Sequence, residues 1–199
     1  MFRLVEVAAR HAMSVAGWAY VAITALICFD IVARRLLGFS SEATSELTGY
    51  LMAIGMTWGM AGTLIERGHV RIDVLVQKLP LAVRVWLHLA SLAALAVTAG
   101  FFVYGAVSLA RDSLELGATD LSALRTPLAL PQGLWAAGLA LLALAVAALG
   151  ARALAQLRER RLDDLDRMLM ARSYEDEAAE TLEAVGQAGT RDAPAEPRA

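Results

Sequence analysis

The side chains that could carry chemistry are few and scattered along this sequence. Its three histidines are His11, His69 and His88, and its one cysteine is Cys28. A membrane haem would need histidines inside helices as axial ligands, whereas these three lie near predicted helix ends. The sequence has no Cys/His cluster for zinc, no glycine-rich phosphate loop and no Ser/His/Asp set in a recognisable local context. We therefore expect no catalytic, cofactor or metal site, and the lone cysteine allows no intrachain disulfide.

Two acidic residues, Asp30 and Glu46, lie beside apolar segments. Asp30 precedes Arg34 by four residues, which is the favourable order for an ion pair on one helix face. A carboxylate at the bilayer centre costs about 2.5–3.5 kcal/mol, so we expect Asp30 near the outer interface. A paired structural residue is the favoured interpretation, and a proton or ion site is the alternative. Ser40 or Ser41 can cap a second helix, whose positive end suits Glu46.

A charged segment at 66–73 reads Glu-Arg-Gly-His-Val-Arg-Ile-Asp and joins two apolar regions. A solvated turn between two membrane helices explains this composition without a catalytic role. Gly68 suits a tight corner. His69, Arg71 and Asp73 are expected to hydrogen-bond that corner together or to a partner protein.

The rest of the chain is dominated by uncharged runs. The sequence is 58% hydrophobic, against roughly 45–50% in soluble domains. Four runs reach the length of about 18 residues that is typical of a transmembrane helix, and these are 12–29, 47–65, 85–110 and 126–151. Backbone groups in lipid must be paired within helices or closed barrels, and the alternating pattern of a barrel is absent. The sequence predicts an all-α integral membrane protein whose four transmembrane helices span about 11–36, 42–65, 81–116 and 131–156.

The third predicted helix is longer than a bilayer requires. Pro80 suits its first position, and 37 residues from Pro80 to Leu116 would extend about 55 Å. The hydrocarbon core needs only about 30 Å, so this helix is expected to tilt, bend or run partly along the interface, with Arg84, Trp86 and His88 as interfacial anchors. Before it, apolar residues at helical spacing predict a short amphipathic interfacial helix over about 70–79.

Glycines mark one face of the second predicted helix. Gly55, Gly59 and Gly62 recur at i, i+4 and i+7. Small residues at such spacing allow another helix to approach closely. The second helix is therefore expected to pack tightly, either inside this chain or against a partner.

The fourth helix is bounded by prolines at one end and by a polar tail at the other. Pro127 and Pro131 disfavour helix until about Pro131. A stripe of apolar residues after position 154 favours continuation of the helix as far as Arg172. Residues 1–172 are thus predicted to form one membrane domain. Residues 173–199 are acidic and rich in small residues, and are predicted to be a disordered cytoplasmic tail.

Basic residues predict the orientation of the helices. With the N-terminus inside, the inner side holds fourteen of the eighteen lysines and arginines, and the outer side holds Arg34, Arg35, Arg111 and Arg125. Positive charge favours cytoplasmic loops, so both termini are predicted to be cytoplasmic. The first apolar run is long for a secretory signal and lacks a small-residue cleavage site, so it is expected to be retained. A membrane bundle without a visible active site favours a subunit over a free-standing enzyme or pump.

The chain resembles the small membrane subunit of the tripartite ATP-independent periplasmic (TRAP) transporters, the DctQ-like family. The resemblance covers about 30–141, and its most specific part is the Gly-His-Val-Arg-Ile-Asp run. The matching residues in chain order are Asp30, Arg34, Glu46, Gly55, Gly59, Gly62, Arg67, Gly68, His69, Arg71, Asp73, Pro127 and Pro131. We interpret them as structural or partner-contact positions.

The resemblance implies a scaffold subunit of a bacterial inner-membrane symporter. A large permease subunit would carry the substrate and sodium sites and move by an elevator-like mechanism. A periplasmic binding protein would deliver an organic acid, and charged residues of the outer loops (Arg34, Arg35, Glu42, Glu46, Asp112, Glu115 and Asp120) would contact it. Nothing in the sequence indicates a nucleic-acid partner. The alternative is a free-standing, proton-coupled small-molecule exporter that uses Asp30 and Glu46, and a third possibility is a haem-dependent redox anchor.

Overall fold

The structure, a computed structural model, describes residues 2–39, 42–68, 76, 78–122, 124–170 and 181–182. The named elements of these residues are all helices, which confirms the predicted class. They are α1 (Phe2–Leu36), α2 (Glu42–Ile65), α3 (Leu81–Glu115), α4 (Ala129–Arg158) and α5 (Leu162–Leu169). One isolated bridge joins Thr119 to Pro127 in the loop between α3 and α4.

Three of the helices, α1, α3 and α4, are long and apolar enough to cross a membrane. The second helix spans 24 residues, at the predicted boundaries, but it is not among these three. Glycines, threonines and the polar edges of Tyr50 and Trp58 lower its apolar character. The length predicted for the third helix is confirmed, because its 35 residues extend about 52 Å at 1.5 Å per residue.

Two helices begin earlier than predicted. The first starts at Phe2 rather than near His11, because Val5 and Ala9 are buried and an Arg10–Glu6 ion pair of 2.7 Å supports the exposed side. The fourth starts at Ala129, two residues before Pro131. A proline in the first turn costs no hydrogen bond, since the N–H that it lacks would have no partner inside the helix.

The predicted continuation of the fourth helix to Arg172 is wrong. The helix ends at Arg158, and Arg160 adopts the left-handed conformation with φ of 55°. The Arg160 and Arg161 N–H groups donate to the carbonyl oxygens of Leu157 and Gln156 at 3.1 and 3.0 Å, the pattern of a Schellman stop. The apolar stripe beyond it forms the separate helix α5, which buries Leu165 and Leu169 against the bundle.

The long helices pack in a simple order. The second helix lies between α1 and α4, and α3 packs on α4. At one end of the bundle α5 contacts both α3 and α4. One core cluster joins all five helices and includes Val5, Ala61, Leu92, Val146 and Leu165. Alanine supplies many of the buried positions, so the helices lie close together.

Several predictions fall on residues outside the described ranges. Most of the amphipathic helix predicted for 70–79 does so, and so do His69, Arg71 and Asp73. The predicted tail 173–199 is described only at Thr181 and Leu182.

Candidate structural and partner-contact sites

The glycine face of α2 lies against α1. A Cβ added at Gly62 would come within 2.9 Å of the Met13 side chain, and one at Gly55 would come within 3.2 Å of the Tyr20 ring. At Gly59 the same atom would touch the Ala16 methyl group at an ordinary 3.7 Å. Two of the three glycines therefore allow an approach that alanine would hinder. The close packing that the spacing predicts takes place inside this chain.

A second close approach joins α2 to α4 at Gly138. A Cβ built on Gly138 would lie 2.5 Å from Thr57 Oγ1 and 2.6 Å from Trp58 Cδ1. One turn earlier on α4, the carbonyl oxygen of Leu134 accepts a hydrogen bond of 2.8 Å from the Trp58 indole N–H. Sequence reasoning missed this site, because Gly138 lies within a run of alanine and leucine that gives no spacing signal.

The ion pair predicted between Asp30 and Arg34 is present. An Arg34 guanidinium nitrogen lies 2.6 Å from Asp30 Oδ2. The Asp30 residue is only 6% exposed, whereas the Arg34 side chain remains largely exposed. The arginine thus neutralises a buried carboxylate at the end of α1.

A polar cluster (Glu46, Tyr50, Asp120 and Ser122) ties α2 to the loop between α3 and α4. The Tyr50 hydroxyl lies 3.0 Å from Glu46 Oε1 and 2.8 Å from Asp120 Oδ2. The Ser122 hydroxyl donates to the other Glu46 oxygen. Glu46 was predicted as a site residue, but its contact with Tyr50 was missed, although the i, i+4 spacing could have indicated it.

The same loop is held by its own backbone. The Asp120 N–H donates to Thr126 O at 3.0 Å, and the Leu128 N–H donates to Ala118 O at 3.0 Å. Pro127 lies between these two bonds and pairs with Thr119. The prolines predicted as site residues therefore shape a pinned loop and the first turn of α4.

At the other end of the bundle, α2 ends in a tight stop. Arg67 has φ of 58°, and the Gly68 N–H donates to Thr63 O at 2.9 Å. The left-handed residue is therefore Arg67, and Gly68 follows it, which corrects the expectation that glycine makes the corner. The Arg67 guanidinium donates to the carbonyl oxygen of Arg167 in α5 at 2.7 Å.

A buried charged cluster joins α3 to α5. Asp166 of α5 is 4% exposed and lies 2.8 Å from an Arg84 guanidinium nitrogen and 3.4 Å from His88 Nε2. His88 is itself 6% exposed, so its predicted role as an interfacial anchor is wrong. Sequence reasoning missed the pairing because Asp166 was assigned to a straight continuation of the fourth helix.

The polar cluster and the buried charged cluster lie at opposite ends of the bundle, and each joins one helix to another segment of the chain. Within the part of the chain that the structure describes, no group of three or more His, Cys, Asp or Glu side chains is placed to hold a metal ion. The middle of the bundle is lined by alanine, leucine and valine. The described helices form a packed unit.

An all-helical chain with three apolar helices long enough to span a bilayer is a membrane protein. Residues 23–156 match the family model described as "Tripartite ATP-independent periplasmic transporters, DctQ component". This match covers most of the chain, so the chain belongs to the DctQ family of small TRAP permease subunits. It is a transporter component and functions with other components of such a system. No curated protein and no solved structure matches the chain.

Proposed function

We propose that this chain is the scaffold subunit that supports the large permease of a TRAP transporter in sodium-coupled uptake of an organic acid. A periplasmic binding protein would deliver that acid. The observation that carries the proposal is the DctQ family match over residues 23–156. The placement of the charged residues supports it. Glu46 and Asp166 each hold one element to another, and Asp30 is paired with Arg34 of its own helix.

The proposed topology has four transmembrane helices in the bacterial inner membrane, with both termini in the cytoplasm. The second helix is proposed as the fourth crossing because it lies between α1 and α4, where its backbone and threonines are shielded from lipid. Its Thr57 and Thr63 hydroxyls donate to backbone carbonyl oxygens one turn earlier, at 3.0 Å in both cases. Such bonds make polar side chains tolerable inside a membrane. The excess of basic residues on one side supports the orientation.

The role we propose for α3 is a brace for the large subunit. This helix packs on α4 and α5, while much of its apolar surface remains exposed. Val97, Phe101 and Tyr104 are 71–75% exposed. Surface of this kind must meet lipid or another apolar protein in a membrane. A fixed brace suits an elevator mechanism, in which one part must stay in place relative to the bilayer.

Reconstituted uptake tests the proposal. Proteoliposomes that contain this chain and the large permease, supplied with the periplasmic binding protein, should accumulate an organic acid when a sodium gradient is imposed. Omission of this chain should abolish accumulation while the large permease remains in the membrane. Sodium-independent accumulation, or undiminished uptake without this chain, would contradict the proposal.

The same vesicles distinguish the proposed scaffold function from the alternative, a free-standing exporter. A free-standing exporter would move substrate with this chain alone, and Asp30→Asn would abolish that flux. The 2.6 Å ion pair with Arg34 weighs against Asp30 as a proton carrier, since its charge is already balanced within the same helix. We expect no flux from the chain alone.

The outer end of the bundle is proposed to contact the periplasmic binding protein. Asp112 and Glu115 are exposed in the last turn of α3, beside the pinned loop. Charge reversal of both should weaken docking, more strongly at low salt than at high salt. Arg158→Glu, at the other end of the bundle, is the matched control. Equal effects of the outer and inner reversals on docking would refute this contact.

A further inference from the structure

A crevice opens between the end of α1 and the beginning of α2. It has a volume of about 710 Å³ and is lined by Ile27, Asp30, Ile31, Arg34, Arg35, Thr44, Ser45 and Thr48. Its position at the joined ends of two helices that border a membrane places it at the level of the lipid head groups. The glycine face of α2 and the polar cluster (Glu46, Tyr50, Asp120 and Ser122) lie outside this lining.

Among the described residues that line the crevice, one positive charge is unbalanced. Arg34 neutralises Asp30 through the 2.6 Å ion pair, and no other acidic residue belongs to the described lining. Arg35 is exposed and has no hydrogen-bond or ion-pair partner among the residues that the structure describes. Its guanidinium group is therefore available for an anion, and the planar fork suits phosphate oxygens.

Hydroxyl groups of α2 line the same crevice as the arginine. Thr48 directs its own proton to the Thr44 carbonyl oxygen at 2.8 Å, so it offers lone pairs to the crevice. The Ser45 hydroxyl makes no side-chain hydrogen bond with the described residues. Ser45 can therefore donate to a ligand oxygen that Arg35 also binds.

The remaining wall is apolar and indicates an amphiphile. Ile27 and Ile31 are 43% and 60% exposed and line the crevice beside the charged residues. A free inorganic anion would leave this wall in contact with water, whereas the glycerol and first acyl carbons of a lipid would cover it. A cationic group beside an apolar wall at head-group depth fits a phospholipid better than it fits a soluble protein.

We infer that this crevice binds the phosphate of a phospholipid head group through Arg35 and Ser45, with the lipid chains on Ile27 and Ile31. The inference goes beyond the proposed transport function and does not depend on it. It assigns Arg35 to the lipid rather than to the periplasmic binding protein.

Native mass spectrometry of the full-length chain tests this assignment. The delipidated protein in mild detergent is titrated with phosphatidylglycerol, and the lipid-bound fraction is measured. Arg35→Gln should weaken the first binding event about tenfold, as the loss of one charge-assisted contact implies. Ser45→Phe should weaken it by filling the crevice without a change of charge. Arg125→Gln, an exposed basic residue outside the lining, should leave it unchanged.

Three results would overturn the inference. Equal lipid binding by the parent protein and by all three variants would show that the crevice holds no lipid. Displacement of the lipid by inorganic phosphate at matched concentration would indicate a simple anion site. Unchanged lipid binding by Arg35→Gln, together with weaker docking of the periplasmic binding protein, would assign Arg35 to that protein. Circular dichroism and monodispersity of each variant show that a loss of binding is not a loss of folding.

Discussion

Gly138 provides the sharpest test of how α2 and α4 are held together. Replacement by alanine would place a methyl group 2.5 Å from Thr57 Oγ1 and 2.6 Å from Trp58 Cδ1. Neither neighbour can move away easily. Thr57 is 4% exposed and hydrogen-bonded to its own helix, and the Trp58 indole donates to Leu134 O. The two helices must therefore separate.

The size of the effect follows from these contacts. Overpacking a well-packed interface by one methyl group costs about 1–3 kcal/mol. Loss of the hydrogen bond from Trp58 to Leu134 would add about 1 kcal/mol. Alanine also gains up to about 1 kcal/mol of helix propensity over glycine. Gly133→Ala is the matched control. It gains the same helix propensity in the same helix, but a Cβ at Gly133 meets no atom within 4 Å, so comparison of the two variants cancels that gain.

The predicted difference between the two variants is about 2–4 kcal/mol in the free energy of unfolding, with Gly138→Ala the less stable. For a chain of this size such a difference corresponds to roughly 4–16 °C in melting temperature. Thermal unfolding in detergent, followed by tryptophan fluorescence, measures it, and Trp58 reports on the interface directly. Equal melting temperatures for Gly138→Ala and Gly133→Ala would refute the close approach of α2 and α4.

Three further perturbations test other parts of the structure. Asp166→Asn should destabilise the protein by about 3 kcal/mol, the lower end of the range for a broken buried ion pair, and an unchanged melting temperature would contradict the contact with Arg84. Arg160→Gly should raise the melting temperature by a few degrees, because glycine removes about 1 kcal/mol of left-handed strain, whereas Arg161→Gly, at an ordinary φ of −86°, should not. Tyr50→Phe should speed amide hydrogen exchange of the loop after Gly117 several-fold relative to α4, and unchanged exchange would show that its backbone bonds alone hold the loop.

The helices were largely predictable because their cause is local. In lipid, an uncharged run long enough to cross the membrane must pair its own backbone groups, which a helix does. The predicted bounds of the second helix, 42–65, agree with the structure. The errors lie at ends and breaks. Pro131 was read as a barrier although a first turn tolerates it, and the stop at Arg160 was invisible because arginine rarely adopts a positive φ.

Contacts were predictable only where the sequence of a single helix carries the signal. The Asp30–Arg34 pair and the glycine face of α2 repeat at helical spacing, so both could be found in the sequence. The bond between Tyr50 and Asp120 joins residues 70 positions apart, and the contact of Arg84 with Asp166 depends on the break before α5. Pairings of that kind require the packing order of the helices, which apolar runs do not specify.

The regions outside the family match explain how the long third helix is fixed. The match covers 23–156, and both the first turns of α1 and the whole of α5 lie beyond it. These two segments nevertheless share one core cluster, in which Val5 and Leu165 are buried. The Asp166–Arg84 bond of 2.8 Å then attaches that cluster to α3. Because α3 packs against α4 and α5, α5 anchors the N-terminal end of the proposed brace. The stretch of α3 that includes Phe101 and Tyr104 is exposed, and it is the part proposed to meet lipid or the large permease.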